Sequence, residues 1–215
     1  MTSPEKLLSF CHVDAGYPHR PVLTDVNLDI SRGDFIVLTG SNGGGKTTLV
    51  RLILGLMRPT AGQLWRARHI VMGYQPQYQH IDRQFPITVE ELVLTGLQNR
   101  LRPWQRFSDS HRRQVSQLLE RFDLAAMSRQ LVSQLSGGQL QRALFARAVV
   151  SEPDLLVIDE PDTYLDARHK QMLYDFLEHI GPETAIVMVS HDAYVPAHLA
   201  GIHLHVDHGT VSRPD

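Results

Sequence analysis

An α/β fold is predicted for this 215-residue chain by three observations. Phe35-Ile36-Val37-Leu38 is a short apolar run that ends in a glycine-rich turn and leads straight into a helical run, Thr48 to Leu54. Leu155-Leu156-Val157-Ile158 and Ala185-Ile186-Val187-Met188-Val189 are short unbroken apolar runs, the pattern of parallel strands buried on both faces. Val26-Asn27-Leu28-Asp29-Ile30 alternates instead, as a strand with one solvated face does. A parallel core with an antiparallel β subdomain follows.

In order, residues 7–38 alternate and carry turn signals at Gly16 to Pro21 and at Ser31-Arg32-Gly33, which reads as antiparallel strands feeding the strand before the glycine-rich turn. Arg58-Pro59-Thr60-Ala61-Gly62 breaks the chain after the first helix. Strands are expected near Gln63 to Trp65 and at Ile70 to Tyr74, then a polar loop from Gln75 to Pro86. Thr88-Val89-Glu90-Glu91 is a capping box that opens a helix. Asn99 to Ser108 reads as a loop and Asp109 to Phe122 as a helix. Ser136-Gly137-Gly138-Gln139 is a second capping box, whose helix runs to about Ser151 and is stopped by Pro153. A helix from Ala167 to Ile180 ends at Gly181-Pro182, and Ile202 to Val206 with Thr210 to Ser212 forms a closing hairpin. Residues 87–150 form a helical insert, and residues 1–86 with 151–215 form the core, within one domain.

Composition narrows the function. A net charge of −2 with no dense basic run gives no footprint for nucleic acid. One cysteine, Cys11, excludes intramolecular disulfides and thiolate clusters and suits a reducing compartment. The N-terminus lacks a signal pattern and no apolar run approaches the ~18 residues that span a bilayer, so a soluble chain is expected.

The chemistry centres on Gly40-Ser41-Asn42-Gly43-Gly44-Gly45-Lys46-Thr47-Thr48, which matches G-x-x-x-x-G-K-[ST] at every fixed position. Glycines let successive backbone N–H groups converge on one phosphate chain, and the following helix turns its positive end toward it. Lys46 is placed to reach the β- and γ-phosphates and the Thr47 hydroxyl to ligate Mg²⁺. The core is thus of the phosphate-loop NTPase kind, with ATP and Mg²⁺ expected. Asp159 and Glu160 follow an apolar strand, where the first acid suits the metal and the second suits orienting or deprotonating the attacking water. Ser136 with Gly137, Gly138 and Gln139 offers a second anion site at a helix start. One triphosphate does not need two sites in one chain, but a homodimer sandwiching two ATP uses both.

Leu135 to Gln139, followed by Gln141-Arg142-Ala143 and Ala146-Arg147-Ala148, resembles the signature segment of the ATPase subunits of ATP-binding cassette (ABC) transporters, and the likeness extends along essentially the whole chain. That resemblance implies further roles. Tyr17 matches the aromatic that stacks on adenine; its alternative is an exposed turn tyrosine. Gln77 is similar to the loop glutamine that senses Mg²⁺, with Gln75 as competitor. Thr163-Tyr164-Leu165-Asp166 sits where the family has its dimer-contact loop, which places Asp166 near the nucleotide. His191 matches the switch histidine at the γ-phosphate. Ser41, Gly44 and Asp162 depart from the family's frequent proline, alanine and Thr or Phe. The resemblance also implies separate membrane permease subunits docking near Gln77 to Ile87, an extracytoplasmic binding protein, and a place on the cytoplasmic face of the membrane. Phe85 to Glu91 and the run around Arg100 to Phe107 resemble zinc and manganese importers.

Three other readings stand beside this one. An ABC ATPase of another transport class shares every motif. A small-molecule kinase shares Gly40 to Thr47 but has no use for Leu135 to Gln139, and a non-transport cassette typically carries coiled-coil inserts or a second cassette. His203, His205 and His208 suggest a metal site, but without supporting carboxylates a solvated edge strand is the plainer reading.

Overall fold

The computed structural model describes residues 4–77, 82–102, 104–161, 163–190 and 201–213. The chain divides into two units, Met1–Ile70 with Ile180–Asp215, and Val71–His179.

In the first unit, β1 (Lys6–Tyr17) lies between β2 (Arg20–Ser31) and β4 (Ala61–Arg66), antiparallel to both. The alternation read in the sequence sets the faces: Val26, Leu28 and Ile30 are buried while Asn27 and Asp29 point to solvent. The pairing is not regular. Its register shifts between Phe10 and Val13, where His12 and, across the ladder, Asp25 adopt positive φ. Asn27 Oδ1 accepts the His12 N–H at 2.9 Å and so occupies a donor that the shifted ladder leaves over.

A second layer holds β3 (Phe35–Thr39) between β7 (Ala185–Val189) and β8 (Ile202–Asp207), parallel to both, with β9 (Thr210–Ser212) antiparallel on β8. Ile36, Val37 and Leu38 and all of β7 are buried, as expected of parallel strands covered on both faces. Gly33 permits the turn into β3: its φ is +76° and a Cβ there would lie 2.6 Å from the Pro182 carbonyl oxygen. The α1 helix (Lys46–Ile53) follows the glycine-rich turn. β8 is an inner strand, so the expected edge-strand position of its histidines is corrected. His203 and His205 are nonetheless exposed, on the face opposite the buried Leu204 and Val206. Among the described residues no cluster of three metal-binding side chains forms.

In the second unit, β5 (Met72–Gln75) pairs parallel with the fully buried β6 (Leu155–Asp159). The helices are α2 (Val89–Leu94), α3 (Asp109–Arg121), α4 (Gly137–Val149) and α5 (Ala167–Glu178). Both expected capping boxes form, at Thr88–Glu91 and Ser136–Gln139. A third, Ser108 with His111, replaces the usual Glu or Gln with an imidazole acceptor. Close approach of α4 to β5 depends on Gly73, where a Cβ would lie 2.1 Å from the Ala148 carbonyl oxygen. Phe122, Phe145 and Phe176 meet at centroid distances of 5.1–5.4 Å and close the core between α3, α4 and α5. No helix of the described residues is long and apolar enough to cross a membrane.

Candidate functional site

The first unit carries the phosphate loop. β3 delivers the chain to Gly40, whose φ of +135° is open only to glycine, and Gly43 and Gly45 follow at +82° and +119°. Gly44 N–H donates to the Ser41 carbonyl at 3.1 Å and fixes the bend. Lys46 is 8% exposed, and its ammonium donates to the carbonyls of Gly40 at 2.7 Å and Ser41 at 2.9 Å. Two of the loop's carbonyls, those of Gly40 and Ser41, therefore turn toward a buried cation. α1 opens at Gly45 with no side-chain cap and no acid in its first turn. An N-terminus without an acidic side chain is what a phosphate requires there. Asn42 and Thr47 are exposed and Thr48 is buried, so the Thr47 hydroxyl stands at the open end of the helix. Tyr17, 45% exposed, accepts a hydrogen bond from the Arg51 guanidinium on α1.

The second unit carries the carboxylates and the helix start rich in glycine. Asp159 ends β6 and is 4% exposed. Glu160, next in the chain, adopts φ +49°, a backbone strained for a side chain of this kind. Two glutamines hold it: Gln77 Nε2 donates to its carboxylate at 2.6 Å and Gln141 Nε2 to its main-chain carbonyl at 3.0 Å. Gln75 lies fully buried in β5, and its side-chain amide has no hydrogen-bond partner among the described residues. Of the two glutamines weighed in the sequence, it is Gln77 that meets the acid.

Ser136 caps α4 by accepting the Gln139 N–H, while Gln139 Oε1 accepts the Ser136 N–H at 2.8 Å. Ser136 is exposed and retains its hydroxyl proton for donation. Gly138 makes room for the 163–166 loop, since a Cβ there would sit 3.0 Å from the Tyr164 carbonyl oxygen, whereas one on Gly137 would meet the Tyr164 side chain in ordinary contact at 3.5 Å. Asp166 caps α5, and the backbone N–H and then the ring of His169 hold its carboxyl below the ordinary range. His191 and Asp162 lie outside the described residues.

Sequence reading missed two contacts. Gln141 was read only as part of a motif, and nothing local announces that its side chain reaches Glu160, 19 positions on. The Ser41 hydroxyl donates to Asp207, 166 positions away, a link that no spacing rule detects.

The model of the ABC transporter family matches residues 23–163. The chain is 36% identical over 191 residues to a zinc import ATP-binding protein, ZnuC, of Photorhabdus laumondii, covering 88% of this chain and 70% of that one. It is 36% identical over 197 residues to its namesake of Marinobacter nauticus, covering 91% and 71%. Among solved structures, a transporter described as of the metal-chelate type, in an inward-facing conformation, superimposes with a TM-score of 0.84 at 26% identity, over 98% of this chain and 84% of that one. A dimeric bacterial ABC transporter cassette superimposes at 0.81 with 25% identity, over 96% and 97%. Phosphate loop, paired acids and capped glycine helix thus stand on the scaffold on which this family hydrolyses ATP, and the chain belongs to the ABC transporter family as one of its ATP-hydrolysing subunits.

Proposed function

We propose that this subunit energises uptake of a divalent metal ion of the zinc and manganese class through separate membrane permease subunits. The observation that carries the reading is the identity of 36–37% with zinc import ATP-binding proteins across about nine-tenths of the chain. Phe85, 61% exposed beside Ile87, supports a permease contact near Gln77 to Ile87. An extracytoplasmic metal-binding protein would deliver the ion, and the subunit would sit on the cytoplasmic face of the membrane through its permease. Within the single domain, residues 1–86 and 151–215 are assigned to the nucleotide core and 87–150 to the helical subdomain that carries Ser136.

In this reading Tyr17 stacks on adenine, and the N–H groups of Gly40 to Thr48 and the Lys46 ammonium hold the phosphates. The donor set suits Mg²⁺: an exposed hydroxyl at Thr47, a buried carboxylate at Asp159 and the amide of Gln77 are hard oxygen donors. Mg²⁺ would neutralise charge on the phosphates. Glu160 accepts the proton of the attacking water, and His191 contacts the γ-phosphate. Ser136, Gly137, Gly138, Gln139 and Asp166 serve the nucleotide of the other chain in a homodimer. A second reading, uptake of a metal chelate, is favoured by the likeness to the metal-chelate type transporter. Reconstitution with the permease and a scan of free and chelated metals for stimulated ATP hydrolysis separates the two: stimulation by free Zn²⁺ or Mn²⁺ supports the first, and stimulation by chelates alone overturns it.

A further inference from the structure

We propose that Asp207, on the last β-hairpin, is a positioning residue that presets the phosphate loop through the Ser41 hydroxyl. The inference rests on the reading of Gly40 to Thr48 as the seat of the nucleotide's phosphates, and adds to it a residue that no motif contains.

Ser41 is the node of the loop. Its carbonyl accepts the Gly44 N–H at 3.1 Å and the Lys46 ammonium at 2.9 Å, while its hydroxyl donates to the Asp207 carboxylate. The hairpin meets the loop at two more points. Gly209 N–H donates to the Gly44 carbonyl at 3.1 Å, and the Gly209 carbonyl in turn accepts the Thr24 N–H at 2.8 Å, so β2 holds the turn from behind. The Val206 carbonyl oxygen lies so close that a Cβ on Gly40 would stand 2.0 Å from it and one on Gly44 2.6 Å.

The physical need is plain. A loop with glycine at positions 40, 43, 44 and 45 samples many backbone conformations, and ordering it on binding costs affinity. Backbone contacts to the hairpin fix the far side of the loop, and the Asp207–Ser41 bond fixes its first residue by a side chain. The Ser41 hydroxyl, more than the neighbouring His208 and His205, holds the Asp207 carboxyl below the ordinary range, so it accepts as a carboxylate at neutral pH. His208 Nε2 lies 3.6 Å from it. A carboxylate near a phosphate site also repels the ligand, so two accounts of Asp207 make opposite predictions. As a brace it favours ATP binding; as a bystander charge it opposes it.

The test is ATP titration and steady-state kinetics on the full chain carrying Asp207→Ala, Asp207→Asn, Ser41→Ala, or both alanines, with melting curves as a check on folding. Asp207→Ala and Ser41→Ala are each expected to raise the dissociation constant and KM for ATP about three- to tenfold, with kcat at saturation near wild type. Asp207→Asn keeps an oxygen that accepts the same hydroxyl and stays within about twofold. The double variant is no weaker than either single one, since both remove one bond. Tighter or unchanged binding in Asp207→Ala, or additive losses in the double variant, overturns the proposal. Lys46→Ala is the control: if it binds ATP as wild type does, the phosphate-loop reading fails and takes the proposal with it.

Discussion

Gln77 Nε2 donates to the carboxylate of Glu160 at 2.6 Å, so the glutamine that follows β5 and the acid after β6 are held as a pair. The amide fixes where the carboxylate points. Gln77→Ala removes that donor, and kcat is expected to fall several-fold while KM for ATP stays within about twofold. With Glu160 as the proposed base, Glu160→Gln is expected to lower kcat by about 10²-fold or more. Unchanged kcat in Gln77→Ala, with Glu160→Gln near wild-type turnover, contradicts the base assignment.

Gln141 holds the same residue by its main-chain carbonyl, at a backbone conformation that Glu160 does not favour by itself. Its Oε1 is buried without a partner among the described residues, so Gln141→Leu removes one unsatisfied atom along with one hydrogen bond and is expected to change stability little. It lets Glu160 relax, and kcat is expected to fall several-fold while KM for ATP stays within about twofold. Steady-state kinetics beside melting curves check this; a loss of stability with unchanged kcat contradicts it.

The Thr88–Glu91 capping box has a pH signature. The Thr88 backbone N–H, and then its hydroxyl, hold the Glu91 carboxyl below its ordinary value of 4.5. A folded-state pKa below the unfolded one contributes stability that is present above the unfolded value and lost as pH falls through the folded one. The melting-temperature difference between wild type and Glu91→Ala should then be largest near neutrality and shrink below a pH of about 4.5. A difference independent of pH contradicts the charged cap.

The three-phenylalanine cluster supports the helices of the second unit. Phe145 is 2% exposed and stacks edge-to-face on both Phe122 and Phe176. Phe145→Ala is expected to cost about 3–5 kcal/mol in chemical denaturation. A loss under about 1 kcal/mol would mean the site collapses around the smaller residue.

Much of the fold was legible because its elements announce themselves locally. Leu155 to Ile158 and Ala185 to Val189 are unbroken apolar runs bounded by polar or breaker residues, and the boxes at Thr88 and Ser136 lie within four positions of chain. The third box escaped because His111 does the work of a Glu or Gln. The register shifts around His12 and Asp25 escaped because alternation predicts faces and not bulges. Lys46, Asp159, Glu160 and Ser136 are readable from motifs, which encode the residues proposed to meet the nucleotide. Gln141 and Asp207 were not, since each acts on another residue across a fold that the motif does not describe.

The central claim is that each ATP is hydrolysed between the phosphate loop of one chain and Ser136 of another. Mixing Lys46→Ala chains with Ser136→Arg chains tests it most directly. The loop of a Ser136→Arg chain and the intact Ser136 of a Lys46→Ala chain form one competent site in each heterodimer, so the mixture should recover about a quarter of wild-type ATPase activity if the two sites act independently. Activity no higher than that of the separate variants would contradict the shared site.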